Sequence, residues 1–309
     1  MLSDQQEIKN LHPQMNRFTI RDIENLCRIK AHTIRTWEQR YNLCVAKRKQ
    51  SQHRVYSSED LKELLRVSFL YHNGHKISRI AKLSPEDIHE VVSCACNKEN
   101  DEAQILQLLE AGLDLDKERF ERTVNCLIMR YGVDKCLVNI FFPFLQKVGL
   151  LWLSDHVIPG QEHFVSHIIR KKIILATDGL ERAKDRTAPP VVIFAPKGEH
   201  HEIPLLTVNY FFRKNGHRTV YFGADLTLHT LKSYLDEHPA ALIYTHVITH
   251  INTDLDQYLG ELSKAYPQHK IYISGPAGSS LGELPANLTI VRTIGEMQQL
   301  AETTFFTSA

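Results

Sequence analysis

A chain of 309 residues with 43% hydrophobic and 24% charged residues has the make-up of an ordinary soluble globular protein, with room for two or three domains. No stretch reaches the ~18 uninterrupted apolar residues of a membrane span, and the opening MLSDQQEIKN has no apolar signal core. The six cysteines form no C-x-x-C pair, so a membrane protein, an exported disulfide scaffold and a cysteine zinc site are not expected; a cytoplasmic location is.

The net charge of +1 conceals an asymmetry. Residues 17–56 carry ten Lys/Arg against three acids, a net +7, which points to a polyanion partner for that stretch alone. Residues 1–16 show no periodicity and read as a mobile arm. Thr19 is a predicted N-cap, with Asp22 three residues on completing a capping-box pattern. Ile20, Ile23 and Leu26 follow at helical spacing. After a break at Ile29, Ala31 to Tyr41 form a second predicted helix. Its inner face is Ile34, Trp37 and Tyr41; His32, Thr33, Arg35, Thr36, Gln39 and Arg40 face outward. Two short helices with cations and hydroxyls on the second are a helix-turn-helix arrangement. The polar, basic stretch from Asn42 to Tyr56 suits a β-hairpin wing. Ser57 to Asp60 starts another helix, with an apolar stripe at Leu61, Leu64, Leu65 and Phe69, so this module spans 17–85.

Residues 86–186 read as a helical bundle, with stripes at Ile105, Leu108 and Leu109 and at Phe120, Val124 and Leu127, a long segment at Leu137–Leu153, and another at Glu162–Leu180. After Thr187 to Pro190, a linker, the pattern changes. Short runs rich in β-branched residues at 191–195, 219–223, 241–245, 270–275 and 288–291 alternate with helical segments at 204–215, 227–237 and 253–265. That alternation predicts a parallel, doubly wound α/β domain over 187–309, whose ligands bind at the carboxyl ends of the strands. The fold class is therefore multidomain: winged helix-turn-helix, bundle, and Rossmann-like (flavodoxin-like) sheet.

The run Phe18-Thr19-Ile20-Arg21-Asp22-Ile23, then Thr33-Ile34-Arg35-Thr36-Trp37-Glu38-Gln39-Arg40-Tyr41, Lys47-Arg48 and His53-Arg54-Val55-Tyr56 resembles the winged helix of the MerR family. Ala46 departs from it, standing where proline is common. The resemblance implies DNA contacts from Thr33, Arg35, Arg40 and Tyr41 on the second helix and from Arg48, Arg54 and Tyr56 in the wing. The chemistry agrees: guanidinium forks to phosphates or guanine, and hydroxyls donate to phosphates. Tyr41 and Tyr56 fit core packing equally; Trp37 is read as core.

The rest of the chain resembles the cobalamin-binding pair of the CarA/CarH/LitR branch of that family. Trp152 followed by Glu162-His163 is similar to the bundle's upper-face cap. Glu199-His200-His201-Glu202-Ile203-Pro204, directly after the first strand, is similar to the D/E-x-H-x-x-G motif, whose histidine is the lower axial ligand of cobalt. Thr245-His246-Val247 and Gly275-Pro276 stand where the later motif elements are expected. The resemblance implies cobalamin, as the adenosyl or methyl form, held by Trp152, Glu162, His163, Glu199, His201, Thr245 and Gly275. His201 would be the metal ligand and Glu199 would fix its tautomer. Three positions depart: Pro204 and Pro276 replace glycines, and Leu153 replaces a histidine of light-sensing members. His246 and His250 are read as incidental.

The expected function is DNA-binding transcription regulation in which the C-terminal domains sense cobalamin, in one form linked to light, and control oligomerisation and operator binding. The expected partners are double-stranded DNA, a second copy of the chain with flexibly tethered heads, and a protein antirepressor; the membrane is not among them. The alternative is a regulator whose degenerate cobalamin fold binds no corrin and serves dimerisation or protein docking. An enzyme is not expected: the chain has no room for a catalytic barrel of ~250 residues.

Overall fold

Thr19 opens the first helix as its sequence predicts. Its Oγ1 accepts from Asp22 N and Asp22 Oδ2 accepts from Thr19 N at 2.6 Å, a reciprocal cap for α1 (Ile20–Cys27). Arg28, left-handed at φ 53°, ends it and turns the chain into α2 (Ala31–Tyr41), whose Ile34 and Trp37 are buried. The computed structural model describes residues 18–48, 54–96, 100–153, 159–181, 183, 187–238, 240, 242–248, 255–276 and 284–303. The wing pairs β1 (Lys47–Arg48) antiparallel with β2 (Arg54–Val55), and backbone bonds between Phe18 and Tyr56 tie it to the start of α1. A second capping box, Ser57 with Asp60, opens α3 (Ser58–His72), followed by the short α4 (Ile77–Ile80).

The chain divides into two compact units, Met1–His167 and Ile168–Ala309. In the first, α5 (Pro85–Cys96), α6 (Asp101–Leu113), α7 (Lys117–Lys135), α8 (Phe142–Leu153) and the start of α9 (Pro159–Asp178) build the bundle. Phe120, Val124 and Leu127 pack its core with Ile105, Leu108 and Leu109. Gly132 at φ 78° kinks α7, and a π-helical segment, Cys136–Phe141, leads into α8.

The head is not a separate body on a flexible tether, which corrects the sequence expectation. α3 packs on α5 and α6, and α1 on α8. The physical reason is an ion cluster. The Glu110 carboxylate of α6, only 4% exposed, accepts from Arg66 Nε of α3 at 2.6 Å and from Arg119 of α7 at 2.9 Å. Lys62 of α3 reaches Asp114 at 2.7 Å.

In the second unit, β3 (Val191–Pro196), β4 (Thr219–Leu226), β5 (Leu242–His246), β6 (Lys270–Ser274) and β7 (Leu288–Val291) form one parallel sheet in the order β4-β3-β5-β6-β7. The alternating α10 (Glu202–Lys214), α11 (Leu228–Leu235), α12 (Leu255–Ala265) and α13 (Ile294–Thr303) complete the doubly wound fold. β3 is buried along its whole length, as the unbroken apolar run Val191–Ala195 requires. The order reverses between β3 and β5, so their carboxyl ends make the switch-point crevice in which such sheets bind ligands. Among the described residues, no helix is long and apolar enough to cross a membrane.

Candidate functional sites

In the head, α2 turns Arg35, Thr36, Gln39 and Arg40 to solvent, with Thr33 and Tyr41 half-buried at the edge of that face. Arg35 and Arg40 make no ion pair among the described residues, so both guanidiniums are available to an external anion. Arg48 lies in β1 opposite Arg54; its side chain is outside the described residues.

Glu38, on the same helix, was not singled out by the sequence. Its carboxylate, 8% exposed, accepts from Ala46 N at 3.0 Å, from Arg54 Nε at 2.8 Å and from the Tyr56 hydroxyl at 3.3 Å. It binds the wing to the second helix. Two expectations change as a result. Tyr56 does not face DNA: its side chain is wholly buried, and burial and the Glu38 carboxylate push its phenol well above the usual range. Arg54 is half-buried and spends its Nε on Glu38, which aims the rest of its guanidinium.

In the second unit the sequence-predicted residues Glu199, His201, Thr245 and Gly275 gather around the switch point. The loop after β3 is fastened on both sides. Toward β4, Gly198 N donates to Asp225 Oδ1 at 2.7 Å and Asp225 N to Glu199 O at 3.1 Å. Asp225, at φ 61°, is one of the few left-handed residues that are not glycine, and Asp tolerates that region better than most. Toward β5, Ile248 N donates to Glu199 Oε2 at 2.6 Å.

Glu199 Oε1 accepts from His201 N at 2.9 Å and lies 2.5 Å from His201 Nδ1. Glu199 is wholly buried, while the His201 side chain is 49% exposed at the N-cap of α10. With Nδ1 held by a carboxylate, Nε2 is the nitrogen that would meet a metal.

Thr245 is the penultimate residue of β5, and its buried Oγ1 has no hydrogen-bond partner among the described residues. His246, which the sequence reading set aside, is buried beside it. Its Nδ1 lies 2.7 Å from Ser274 Oγ, and its Nε2 is a second buried polar atom without a partner among the described residues. Burial pushes this imidazole down to about 4, opposed by Glu199 and reinforced by His201. Gly275, at φ 105°, is dictated by the backbone: a Cβ there would lie 2.1 Å from the carbonyl oxygen of Val247. Pro276 is exposed. Pro204 is buried in the first turn of α10, where its missing N–H has no helical partner to lose. His250 lies outside the described residues.

In the bundle, Trp152 is the penultimate residue of α8, and its side chain, like that of Leu153, lies outside what is described. Glu162 lies in the first turn of α9 and His163 directly follows it. Glu162 accepts from Ser166 Oγ at 2.6 Å and pairs with His163 Nδ1 at 2.9 Å, with His163 largely exposed.

Residues 18–87 match the MerR HTH family regulatory protein family, and residues 104–176 match the B12 binding domain. The HTH-type transcriptional repressor CarH of Myxococcus xanthus is 24% identical over 264 residues, covering 82% of this chain and 87% of CarH. CarA of the same organism, also an HTH-type transcriptional repressor, is 26% identical over 211 residues, 67% of this chain and 68% of CarA. The monomethylamine corrinoid protein of Methanosarcina barkeri superposes with a TM-score of 0.51 at 16% identity, over 63% of this chain and 95% of that one, and so shares the fold. Basic winged helix, bundle and five-stranded sheet thus agree with the matched families: the chain joins a MerR-type winged helix to a B12 binding domain and is homologous to the CarH and CarA repressors.

Proposed function

We propose that this regulator senses a cobalamin, held at the carboxyl end of the sheet with His201 on its cobalt, and that binding changes its assembly on operator DNA. The observation that carries the reading is the Glu199–His201 pair. A wholly buried carboxylate, fixed from the end of β5, orients an imidazole that is half open to solvent. The residues present fit a corrinoid. Among the described residues Thr245 Oγ1 and His246 Nε2 are buried polar atoms that lack partners, and each such atom costs roughly 1–3 kcal/mol until something satisfies it. When bound, cobalamin would supply a cobalt ion that an imidazole can ligate. The chain's own contribution is to fix the orientation and tautomer of that ring through Glu199, and to offer Thr245 to the rest of the ligand.

In the bundle, Trp152, Glu162 and His163 are the residues we assign to the corrinoid. In the head, Arg35, Arg40, Thr33 and Tyr41 from α2 and Arg48 and Arg54 from the wing are assigned to DNA. The domains we assign follow these roles: a DNA-binding head to residue 85, a bundle to 186 and a cobalamin-binding-like domain beyond, with residues 1–16 as an arm. The chain acts as a homodimer or larger, because paired heads match paired half-sites. It has no catalytic task, and a protein antirepressor is a further partner.

The test is DNA enriched by in vitro selection on the full-length protein, titrated with and without adenosylcobalamin. Affinity should differ several-fold between the two states. Selection that enriches no sequence would overturn the head assignment. A specific sequence bound with an affinity indifferent to the corrinoid would favour the second reading, a cobalamin fold kept for dimerisation or docking. The buried Pro204, standing where the motif has glycine, is the observation on that side.

A further inference from the structure

Within the first unit, two half-buried charged contacts join the head to helices of the matched B12 binding domain. Glu110 of α6 holds Arg66 of α3 and is itself held by Arg119 of α7. On the other flank, Lys147 Nζ of α8 donates to the carbonyl oxygen of Leu26 near the end of α1, at 3.4 Å. Burial, and then Arg28, pushes the Lys147 ammonium down, as expected of a cation drawn out of water into the joint. Glu110, Arg119 and Lys147 all lie in residues 104–176, and Arg66 and Leu26 in residues 18–87.

We infer that Glu110 is the residue through which the bundle sets the orientation of the DNA-binding head. Three arguments support this. A buried carboxylate requires its cations, so α3 cannot leave α6 without stranding Glu110 beside a single arginine. The pair is bidentate around one residue: one oxygen faces the head and the other faces the bundle, so a shift of α7 against α6 is felt at Arg66. A cavity of about 270 Å³, with Glu110, Arg119, Gln107, Ser93 and His89 in its wall, leaves the cluster room to rearrange. The DNA face of α2 lies outside this contact, with Arg35, Gln39 and Arg40 exposed, so the clamp orients the head without masking it.

The test removes only the head's side of the clamp. Arg66→Met keeps the apolar stem and leaves Glu110 paired with Arg119. Nitroxides placed by Gln39→Cys on α2 and Met129→Cys on the exposed side of α7 report the head–bundle distance by pulsed electron resonance. Cys94, Cys96 and Cys126 are replaced by serine in this background, and excess unlabelled protein suppresses distances between copies. No corrinoid is added, so the outcome is independent of cobalamin binding. The parent should give one narrow distance distribution and Arg66→Met a distribution at least twice as wide. Equal widths would overturn the inference. If Arg66→Met does not fold, Lys62→Met removes the second head-side cation of the junction and carries the same prediction and the same refutation.

Discussion

Two buried glutamates, one in each unit, do similar work with different consequences. Glu38 in the head accepts from one main-chain N–H, one phenol and one guanidinium. Glu199 in the α/β unit accepts from two main-chain N–H groups and faces one imidazole. Around Glu38 the amide, the phenol and Arg54 Nε are all spent internally, so the carboxylate chiefly ties the wing to α2, while Arg35 and Arg40 lie elsewhere on that helix. Around Glu199 the partner ring is half open, so the same kind of anchor becomes a way to present a ligand atom. What separates a structural carboxylate from a functional one is therefore the exposure of the group it holds.

That comparison can be broken at several strengths. The largest effect belongs to Glu38→Ala, which strands Arg54, Ala46 N and the Tyr56 hydroxyl at once; a loss of roughly 3–4 kcal/mol in urea unfolding is expected. A loss below ~1 kcal/mol would show that the wing does not depend on it.

Next comes pH. The folded-state pKa of His246 is depressed to about 4 from 6.5, so its neutral form contributes stability that is fully present above pH ~6.5 and is lost as pH falls toward 4. The contribution amounts to up to about 3 kcal/mol. The groups facing this ring are Ser274, Glu199 and His201. His246→Gln should flatten the acid limb of the urea midpoint against pH for the α/β unit; an unchanged limb would remove His246 from the account.

Third, Glu199→Gln keeps the shape but weakens the hold on the imidazole. Affinity for added aquocobalamin should fall ~10–100-fold, the usual cost of losing an outer-shell carboxylate. A fall no larger than that of a surface Glu→Gln control would sever the pair from the proposed chemistry.

The smallest effect is Arg35→Ala. Stability should hold within ~0.5 kcal/mol, while the slope of log affinity against log salt on duplex DNA should drop by ~0.9. An unaltered slope would take Arg35 off the DNA face.

Much of the framework was legible because its signals are local. The Thr19–Asp22 and Ser57–Asp60 boxes each lie within four residues, α2 was predicted with its observed ends, and all five strands of the sheet announce themselves as short β-branched runs. The Glu199–His201 pair was legible for the same reason, with one residue between the partners. What escaped the sequence acts at a distance. Glu38 reaches Arg54 and Tyr56 across 16 and 18 residues, Glu199 reaches Ile248 across 49, and Arg66 reaches Glu110 across 44. No periodicity marks such pairs. A glutamate counted only as negative charge, and a histidine set aside as incidental, take their meaning from the elements that fold over them. Tyr56 could equally have faced DNA or the core until the Phe18–Tyr56 bridge drew its backbone inward.

The most direct test of the central claim is a visible spectrum. Full-length protein is mixed with adenosylcobalamin in the dark, freed of excess by gel filtration, and compared with His201→Ala treated alike. The account predicts that the parent elutes coloured, with the spectrum of cobalt ligated by a protein imidazole, and that His201→Ala loses that signature. A colourless parent, or a variant with the same imidazole-ligated spectrum, would contradict it.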